Sequence, residues 1–285
     1  MRARIARAFV DWLESAGERL LRDRVVVASA DTMFGPTQVV DVHDASGAPV
    51  RVLEVDGTWQ SATYLDDSWC ELVFPYHRLF AHAMEAMARQ PRRVLMLGGG
   101  GYAFPKYLVA HDPDVRVDVV EVDPAITQIA REWFFLDRAE RLAAQDPDAS
   151  LRIHHLDARA FLDSPKKKDR YDLIFNDCFA HEKPLMTLTT VEGARALRAN
   201  LTDDGIYLTN VVSALSGSHS QLIRDACAAL RTQFENVLVL PMAPDEPHAI
   251  DNNVVIASDG PLSAEGATPL SPTPRGRALT DVQVL

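Results

Sequence analysis

A run of four glycines follows an apolar segment near the middle of the chain, at residues 98–101. Its spacing, Gly98-x-Gly100-x-x-Ala103, is shared by nicotinamide dinucleotide sites and S-adenosyl nucleotide sites. Glycine lets the backbone approach a ligand closely, and a helix that follows the turn presents free N–H groups. We therefore predict a nucleotide-binding turn with Gly98, Gly100 and Gly101 against the ligand. The alternative is a tight turn with a structural role alone.

Two carboxylates follow the next apolar segment, within Val119–Pro124. Glu121 stands twenty-three residues after Gly98, near the position where such sites keep an acid that accepts hydrogen bonds from both ribose hydroxyls. We assign Glu121 to the ribose, with an exposed side chain of no special role as the alternative. Asp123 is expected to cap the helix that begins at Pro124.

Two aspartates follow later apolar segments. Asp157 comes after Leu151–His155 and opens a helical pattern, so its side chain can receive the exocyclic amine of adenine or cap the helix. Asp177 lies at the carboxyl end of another predicted strand, where open α/β sheets bind ligands. We predict Asp177 to be a general base or an electrostatic anchor for an amine nucleophile. His154 and His155 alternate across their strand, so they cannot share a metal ion.

Strand-like and helix-like patterns alternate from residue 90 onward, as is typical of a parallel sheet with helices on both faces. The predicted fold class is α/β: a Rossmann-like, seven-stranded sheet of the methyltransferase type, preceded by a small helix and an antiparallel β unit. The predicted strands are Val94–Leu97, Val117–Val120, Leu151–His154, Leu173–Phe175, Ile206–Thr209, Val237–Leu240 and Val254–Ala257. The predicted helices are Ala103–Ala110, Ala125–Trp133, Ala158–Leu162, Thr190–Asn200 and Gln221–Gln233.

The segments on either side of this alternation have different patterns. Apolar residues recur at helical spacing over Ile5–Leu21 and again over Asp67–Met87. Short β-branched runs between residues 24 and 60 predict a small antiparallel sheet. The end of the chain is rich in Pro, Ser and Thr and should be irregular, although Ala278–Leu285 could add an edge segment. These patterns divide the chain into residues 1–88, 89–260 and 261–285.

Composition excludes several classes of partner. With 29 Lys and Arg against 40 Asp and Glu, the net charge is −11, which disfavours binding to nucleic acid or to an anionic membrane surface. Three cysteines without CxxC spacing suggest neither a disulfide framework nor a zinc site. No segment approaches the ~20 apolar residues of a membrane span. We expect a cytoplasmic protein without a metal.

Three segments before the glycine run complete a pattern that resembles the spermidine/spermine synthase family, the polyamine aminopropyltransferases. The resemblance covers roughly residues 37–258. The three segments are similar to the family's Y-Q-x-I, L-x-L-D-G-x-x-Q and D-E-x-x-Y-x-E motifs, and they are Thr37–Val40, Leu53–Gln60 and Leu65–Glu71. By this resemblance Gln38, Glu121 and Asp157 hold the nucleoside, Asp177 is the proton acceptor and Gln60 contacts the substrate.

Three positions depart from the family's motifs. The acid of GGGDGG, which in the family holds the donor's amine, is Gly101 here. The second acid of the D-x-x-D loop, which grips a diamine, is Ala180, and the tyrosine of the third upstream motif is Trp69. Losing carboxylates that replace the hydration of a cation costs several kcal/mol. Nucleoside binding is thus expected, whereas the polyamine acceptor is left open.

The resemblance implies a transferase with S-adenosylmethionine or its decarboxylated form as co-substrate. A methyl or an aminopropyl group would pass to a small acceptor such as an amine, and the protein would be a homodimer. Trp69 and Tyr102 could face the sulfonium or a cationic substrate, with packing as the alternative. The loop Cys178–Pro184, which contains His181 and Glu182, lies where the acceptor should bind.

Two other functions fit part of the pattern. An NAD-dependent oxidoreductase would use the glycine spacing and Glu121 equally well, but it leaves Gln38, Gln60 and Asp177 without a role. A non-catalytic nucleoside-binding homologue would have a decayed catalytic loop, and the presence of Asp177 argues against it.

Overall fold

The computed structural model describes residues 23–84, 87, 90–164, 170–180, 183–184, 186–271 and 275–284. The predicted helix Ile5–Leu21 lies outside these ranges. Within them the strands form two main sheets, here called sheet A and sheet B, and a small hairpin of Phe179–Ala180 and Lys183–Pro184.

Sheet B contains all seven strands predicted after residue 90, and each observed strand includes its predicted segment. Strands are numbered in chain order, so that β1 to β4 belong to sheet A and β9 and β10 to the hairpin. The strands of sheet B are β5 (Arg93–Leu97), β6 (Arg116–Val120), β7 (Ser150–His154), β8 (Tyr171–Asn176), β11 (Leu201–Ser213), β12 (Asn236–Pro241) and β13 (Asp251–Ser258). Their order across the sheet is β12-β13-β11-β8-β5-β6-β7.

The sheet is mixed rather than wholly parallel. Strands β11, β8, β5, β6 and β7 run parallel, whereas β13 is antiparallel to both β11 and β12. A parallel neighbour requires a crossover connection, and residues 242–250 between β12 and β13 contain no helix. The prediction of a purely parallel sheet is therefore wrong at this edge.

Helices cover both faces of sheet B, as predicted. One core joins Val94, Met96 and Phe175 to the helices before β7, and a second core joins Leu95, Leu97 and other residues to the helices after it. The helices are α1 (Pro75–Met84), α2 (Ala103–His111), α3 (Pro124–Trp133), α4 (Leu136–Ala143), α5 (Ala158–Leu162), α6 (Val191–Asn200), α7 (Gln221–Leu230) and the short α8 (Asp281–Val284). Across the described residues no helix is long and apolar enough to cross a membrane.

Sheet A is the antiparallel unit predicted from the β-branched runs, with one strand more than those runs. Its strands follow chain order and are β1 (Val25–Thr32), β2 (Gly35–His43), β3 (Pro49–Val55) and β4 (Thr58–Tyr64). The sequence did not indicate β4, because Gln60 and Ser61 interrupt its apolar pattern. Val40, Val52 and Phe74 are among the residues of a separate small core under this sheet.

Two terminal predictions are corrected. The helix expected over Asp67–Met87 is only Pro75–Met84, because the Asp66 carboxylate accepts the Ser68 N–H in a local turn that competes with a helix. The end of the chain adds no long edge strand, since Asp281–Val284 is a helical turn. The isolated bridge to β12 is made by Thr268 instead.

A buried lysine joins α2 to sheet A. The Lys106 ammonium is 1% exposed and donates to Thr63 Oγ1 at 3.0 Å and to the Phe134 carbonyl at 2.6 Å. Burial lowers the pKa of Lys106 from 10.5 to about 7. Between these two values the unfolded chain binds more protons than the folded protein, so the contribution of Lys106 makes stability increase with pH. Below about pH 7 its penalty is fully present.

We expect Lys106→Met to remove this dependence. The free energy of unfolding of the unaltered protein should gain up to about 1.4 kcal/mol per pH unit from Lys106 between about pH 7.5 and pH 9.5. Urea unfolding of both proteins across that interval gives the difference in slope, which isolates this side chain from the other titrating groups. Equal slopes would show that Lys106 stays charged in the folded protein.

Candidate active site

The glycine turn and Asp177 meet at the carboxyl end of sheet B, where β5 lies between β8 and β6. The Gly98 N–H donates to the Val120 carbonyl at 2.9 Å, and the Asp177 N–H donates to the Leu97 carbonyl at 3.0 Å. Gly98 has φ +91°, and a Cβ there would lie 2.7 Å from the Asp177 carbonyl oxygen. Only glycine fits this approach of two backbones.

Glu121 braces the same turn. Its Oε2 accepts the N–H groups of Gly99 at 2.9 Å and Gly100 at 3.3 Å, and its Oε1 accepts that of Asp123 at 2.9 Å. The residue is 6% exposed, and burial raises the pKa of its carboxyl. Each carboxylate oxygen has two acceptor sites, so three of the four sites hold the turn and one, on Oε1, remains for a ligand.

Asp123 and Asp157 both begin helices, as predicted. Asp123 Oδ1 accepts the Ala125 N–H at 2.8 Å, while its Oδ2 accepts the Met33 N–H at 2.7 Å. Met33 lies in the turn between β1 and β2, so Asp123 also joins sheet A to sheet B. Asp157 Oδ1 accepts the Ala160 N–H at 2.9 Å, which leaves its other oxygen free of that capping bond.

The two sheets enclose a cavity of about 1070 Å³ that opens to the surface. Sheet A contributes residues of two of its three hairpin turns and of β3 and β4, and sheet B contributes the carboxyl ends of its central strands. Six of the predicted site residues line this cavity: Gln60, Gly98, Gly100, Glu121, Asp157 and Asp177. The structure therefore brings Glu121 and Asp157, two of the predicted nucleoside residues, into one space with the predicted base Asp177.

Gln38 and Trp69 lie elsewhere. The Gln38 Oε1 accepts a hydrogen bond from Arg24 at 2.7 Å, and the residue does not line the cavity. Trp69 is 5% exposed, with Phe135 edge-on at 6.2 Å and the Arg138 guanidinium over its ring at 4.5 Å. The assignments of Gln38 to the nucleoside and Trp69 to the substrate thus lack the expected geometry. For Trp69 the packing alternative fits.

Tyr102 is also a packing residue. Its side chain is fully buried, its hydroxyl pairs with Thr127 Oγ1 at 2.8 Å, and burial raises its pKa. Its ring lies under Gly99, where an added Cβ would be 2.7 Å from the ring carbon Cζ. The prediction that Tyr102 faces a substrate is corrected, because this ring supports the glycine turn from within the core.

Gly101 faces sheet A rather than the cavity. A Cβ at this position would lie 2.6 Å from Ser61 Oγ and 3.1 Å from the Phe134 ring. The space that the sequence suggested for a ligand at Gly101 is therefore occupied by Ser61, and the expected contact with the nucleotide is corrected. Ser61 itself lines the cavity.

An acid at position 101 should collide with Ser61. Gly101→Asp is expected to lower the free energy of unfolding by about 1–3 kcal/mol, as overpacking does. Adding Ser61→Gly removes both atoms nearest to the new Cβ and should restore most of the loss. Urea unfolding of the two single variants and the double variant measures this coupling. A Gly101→Asp protein as stable as the unaltered one would contradict the close packing.

Three polar residues that sequence reasoning missed surround the Asp177 carboxylate. Tyr76 donates its hydroxyl to Asp177 Oδ2 at 3.1 Å, and His77 Nε2 lies 3.4 Å from the same oxygen. Burial and the neighbouring carboxylate raise the pKa of Tyr76 well above its usual value, so its hydroxyl remains a donor. Asn210 Nδ2 makes a longer contact of 3.4 Å with Oδ1. The pair Pro75-Tyr76, a helix start followed by an aromatic, was the only local signal.

A Cys, Glu and His cluster lies away from the cavity. The ligand atoms of Cys70, Glu71 and His111 are within 4.8 Å of one another, with His111 Nε2 at 3.1 Å from Glu71 Oε1. Burial raises the pKa of the Cys70 thiol. None of the three residues lines the cavity, and the expectation of a protein without a metal stays a prediction.

Comparison with known proteins gives a consistent result. The chain matches the spermine/spermidine synthase domain over residues 73–246. It is 29% identical over 176 residues to the polyamine aminopropyltransferase of Vibrio vulnificus (strain CMCP6), a match over 61% of this chain and 54% of that protein. The polyamine aminopropyltransferase of Lachnoclostridium phytofermentans is 28% identical over 200 residues, or 70% of this chain and 64% of its own. The matches thus span 54% and 64% of these relatives' length.

A solved structure shows the same fold. The probable spermidine synthase from Corynebacterium glutamicum has a TM-score of 0.69 and 23% identity, and the match covers 84% of this chain and 82% of that one. The family match covers more than half of the sequence and includes the glycine turn, Glu121 and Asp177. The resemblance inferred from the sequence is therefore confirmed, and the chain belongs to the spermine/spermidine synthase family.

Proposed function

We propose that the cavity binds an S-adenosyl nucleotide and that the protein transfers an aminopropyl group from decarboxylated S-adenosylmethionine to an amine. The observation that carries the proposal is the position of Asp177, which shares one cavity with Glu121 and the glycine turn. Membership in the family supports the donor, and the polyamine aminopropyltransferases among the relatives support the reaction type.

The residues divide between binding and proton transfer. Glu121 accepts a hydrogen bond from a ribose hydroxyl at the carboxyl end of β6, and Asp157 accepts one from the adenine amine beyond β7. Asp177 receives the proton of the attacking amine as the new C–N bond forms. The C–S bond of the sulfonium breaks, and its electron pair leaves with a neutral thioether. Because the donor is already activated, orientation and proton removal are the protein's main tasks.

Tyr76 and His77 orient the base. Two of the three groups around Asp177 contact the same oxygen, Oδ2, and among the described residues Oδ1 has only the long contact with Asn210. We therefore assign the proton to Oδ1. A homodimer and a small acceptor belong to the same proposal by family likeness.

Methyl transfer from intact S-adenosylmethionine is the second candidate. The observation that favours it is Gly101, which stands where the family's motif has the acid for the donor's amine. Intact S-adenosylmethionine has a carboxylate that the decarboxylated nucleotide lacks, and a protein acid at this position would repel that carboxylate. Comparing the two donors distinguishes the reactions.

Ligand-dependent melting tests the proposal. Methylthioadenosine, S-adenosylmethionine and its decarboxylated form are each added at the same concentration, and a ligand present at about 100 times its dissociation constant stabilises the folded state by about 2.7 kcal/mol. We expect an increase in Tm with methylthioadenosine and with one of the two donors. NADH at the same concentration tests the dehydrogenase alternative and should not increase the Tm. Absence of a shift with all three nucleosides would refute nucleoside binding.

A further inference from the structure

A buried hydrogen-bond acceptor without a partner lies beside Asp177. Asn210 is 3% exposed and lines the cavity, and within the described part of the chain its Oδ1 has no hydrogen-bond partner. Its Nδ2 donates to Asn252 Oδ1 at 2.9 Å and makes the contact of 3.4 Å with Asp177 Oδ1. The reverse orientation of the amide would set its oxygen against the Asp177 carboxylate, so we assign Oδ1 to the position without a partner. An unmade bond at a buried acceptor costs about 1–3 kcal/mol, which a ligand N–H can recover when the amide turns its oxygen toward the cavity.

The wall around this acceptor is neutral. Val212 on β11, Ile250 before β13 and Asn252 on β13 line this half of the cavity together with Asn210. Among the described residues that line this half of the cavity, Asp177 is the only one with a carboxylate. Apart from Tyr76 and His77, which contact Asp177 Oδ2, the described side chains of this wall are amide or aliphatic.

The other acids of the cavity belong to its nucleoside half. Glu121 and Asp157 follow β6 and β7, on the opposite side of β5 from β8 and β11. Asp56 lies in the turn between β3 and β4, and its N–H donates to the Pro36 carbonyl. Pro36 belongs to the hairpin whose Met33 contacts the N-terminus of α3, so Asp56 also stands on that side.

We propose that the half of the cavity lined by Asn210, Val212, Ile250 and Asn252 selects an acceptor with a single amino group and an uncharged, aliphatic remainder. This inference rests on the proposed function and names its acceptor class. A neutral primary amine has two N–H groups, which match the two acceptors Asp177 Oδ1 and Asn210 Oδ1, and its lone pair is then free to attack. A second ammonium on this wall would lose its hydration without gaining a carboxylate.

The reaction is balanced without any further reactant. The amine nitrogen forms a bond to the carbon attached to sulfur, the C–S bond breaks, and the sulfur keeps the electron pair as a neutral thioether. One proton passes from nitrogen to Asp177 and then to water. Asn210 holds the second N–H throughout and is a specificity-determining residue.

Acceptor pairs of equal chain length test the selection. With the donor established by melting, kcat/KM is measured by mass spectrometry for n-butylamine against 1,4-diaminobutane and for n-pentylamine against 1,5-diaminopentane. We expect each monoamine to exceed its diamine by at least about tenfold, which corresponds to about 1.4 kcal/mol. Equal or greater use of the diamines, with the donor bound, overturns this inference and leaves the proposed function intact. Failure of every nucleoside to bind overturns both.

Two variants test whether Asn210 and Ile250 determine the preference for monoamines. Asn210→Leu should lower kcat/KM for the monoamines at least about tenfold while methylthioadenosine affinity stays unchanged. Ile250→Asp adds a carboxylate at an exposed position, 57% accessible, so folding is not at risk. It should move the preference toward the diamine, whereas the neutral control Ile250→Asn should not. An unchanged preference in Ile250→Asp contradicts the proposal.

The loop after Asp177 provides a further control. Glu182 lies outside the described residues, and its carboxylate is the nearest one after Asp177 in the chain. Glu182→Gln should leave the ratio of monoamine to diamine use unchanged. If the unaltered protein used diamines and Glu182→Gln abolished that use, the acceptor would be held by this loop, and the assignment to the Asn210 wall would be wrong.

Discussion

Replacing Asp177 by asparagine is expected to reduce turnover by about 10²- to 10⁴-fold, the range typical of a general base. Asparagine has the same shape but cannot accept the proton of the attacking amine. It also places an amide group against Tyr76 or Asn210, both of which donate to the carboxylate. The measurement is kcat with the preferred donor and acceptor, accompanied by the dissociation constant of methylthioadenosine, which should stay within about threefold because Asp177 does not hold the nucleoside in the proposed function.

An exposed aspartate serves as the matched control. The Asp203 side chain is 90% exposed and pairs with Arg170 at the surface, so Asp203→Asn should leave both constants unchanged. If Asp177→Asn retained full turnover, proton removal by this residue would be refuted. A large loss of nucleoside affinity would instead assign Asp177 to binding.

Replacing Glu121 by alanine should raise the dissociation constant of methylthioadenosine by about 10²-fold or more. A hydrogen bond to a charged group contributes about 1.5–3 kcal/mol, and the proposed function gives Glu121 a ribose hydroxyl. The same change removes the acceptor for the N–H groups of Gly99 and Gly100, which loosens the turn. Isothermal titration measures the affinity directly.

The control for this variant is Glu132→Ala, because Glu132 is an exposed glutamate on α3. We expect no change in affinity there. Glu121→Gln adds a useful comparison, since its amide NH₂ must face a backbone N–H that now donates to the carboxylate. It should therefore resemble the alanine variant rather than the unaltered protein. Nucleoside affinity unchanged in both Glu121 variants would exclude the ribose assignment.

Much of sheet B could be predicted because its information is local. Each buried strand is a short apolar run that ends in a turn residue, and parallel strands bring their carboxyl ends to one edge. That rule places Glu121, Asp157 and Asp177 near one another from the sequence alone. The antiparallel direction of β13 results from the short connection between β12 and β13, and the apolar pattern does not predict strand direction. The predicted division at residues 88 and 260 stays a prediction.

The surroundings of Asp177 could not be predicted in the same way. Tyr76 lies 101 residues before Asp177 in the chain, and Asn210 lies 33 residues after it. Neither has a spacing that marks it, and only the packing of α1 and β11 against β8 brings them there. Trp69 was misassigned for the opposite reason. Its sequence context matched a motif, but the turn at Asp66 directs it into the packing with Phe135.

The hydrogen bond between Met33 and Asp123 has a consequence for assembly. The two residues are 90 positions apart, which at 5–20 residues per second corresponds to roughly 5 to 18 s of synthesis on the ribosome. Sheet A is thus complete in sequence well before the helix that fixes its hairpin exists. The side of sheet A that faces the cavity therefore stays exposed until Asp123 has left the ribosome. The cavity is therefore complete only in a chain in which both sheets have formed and docked.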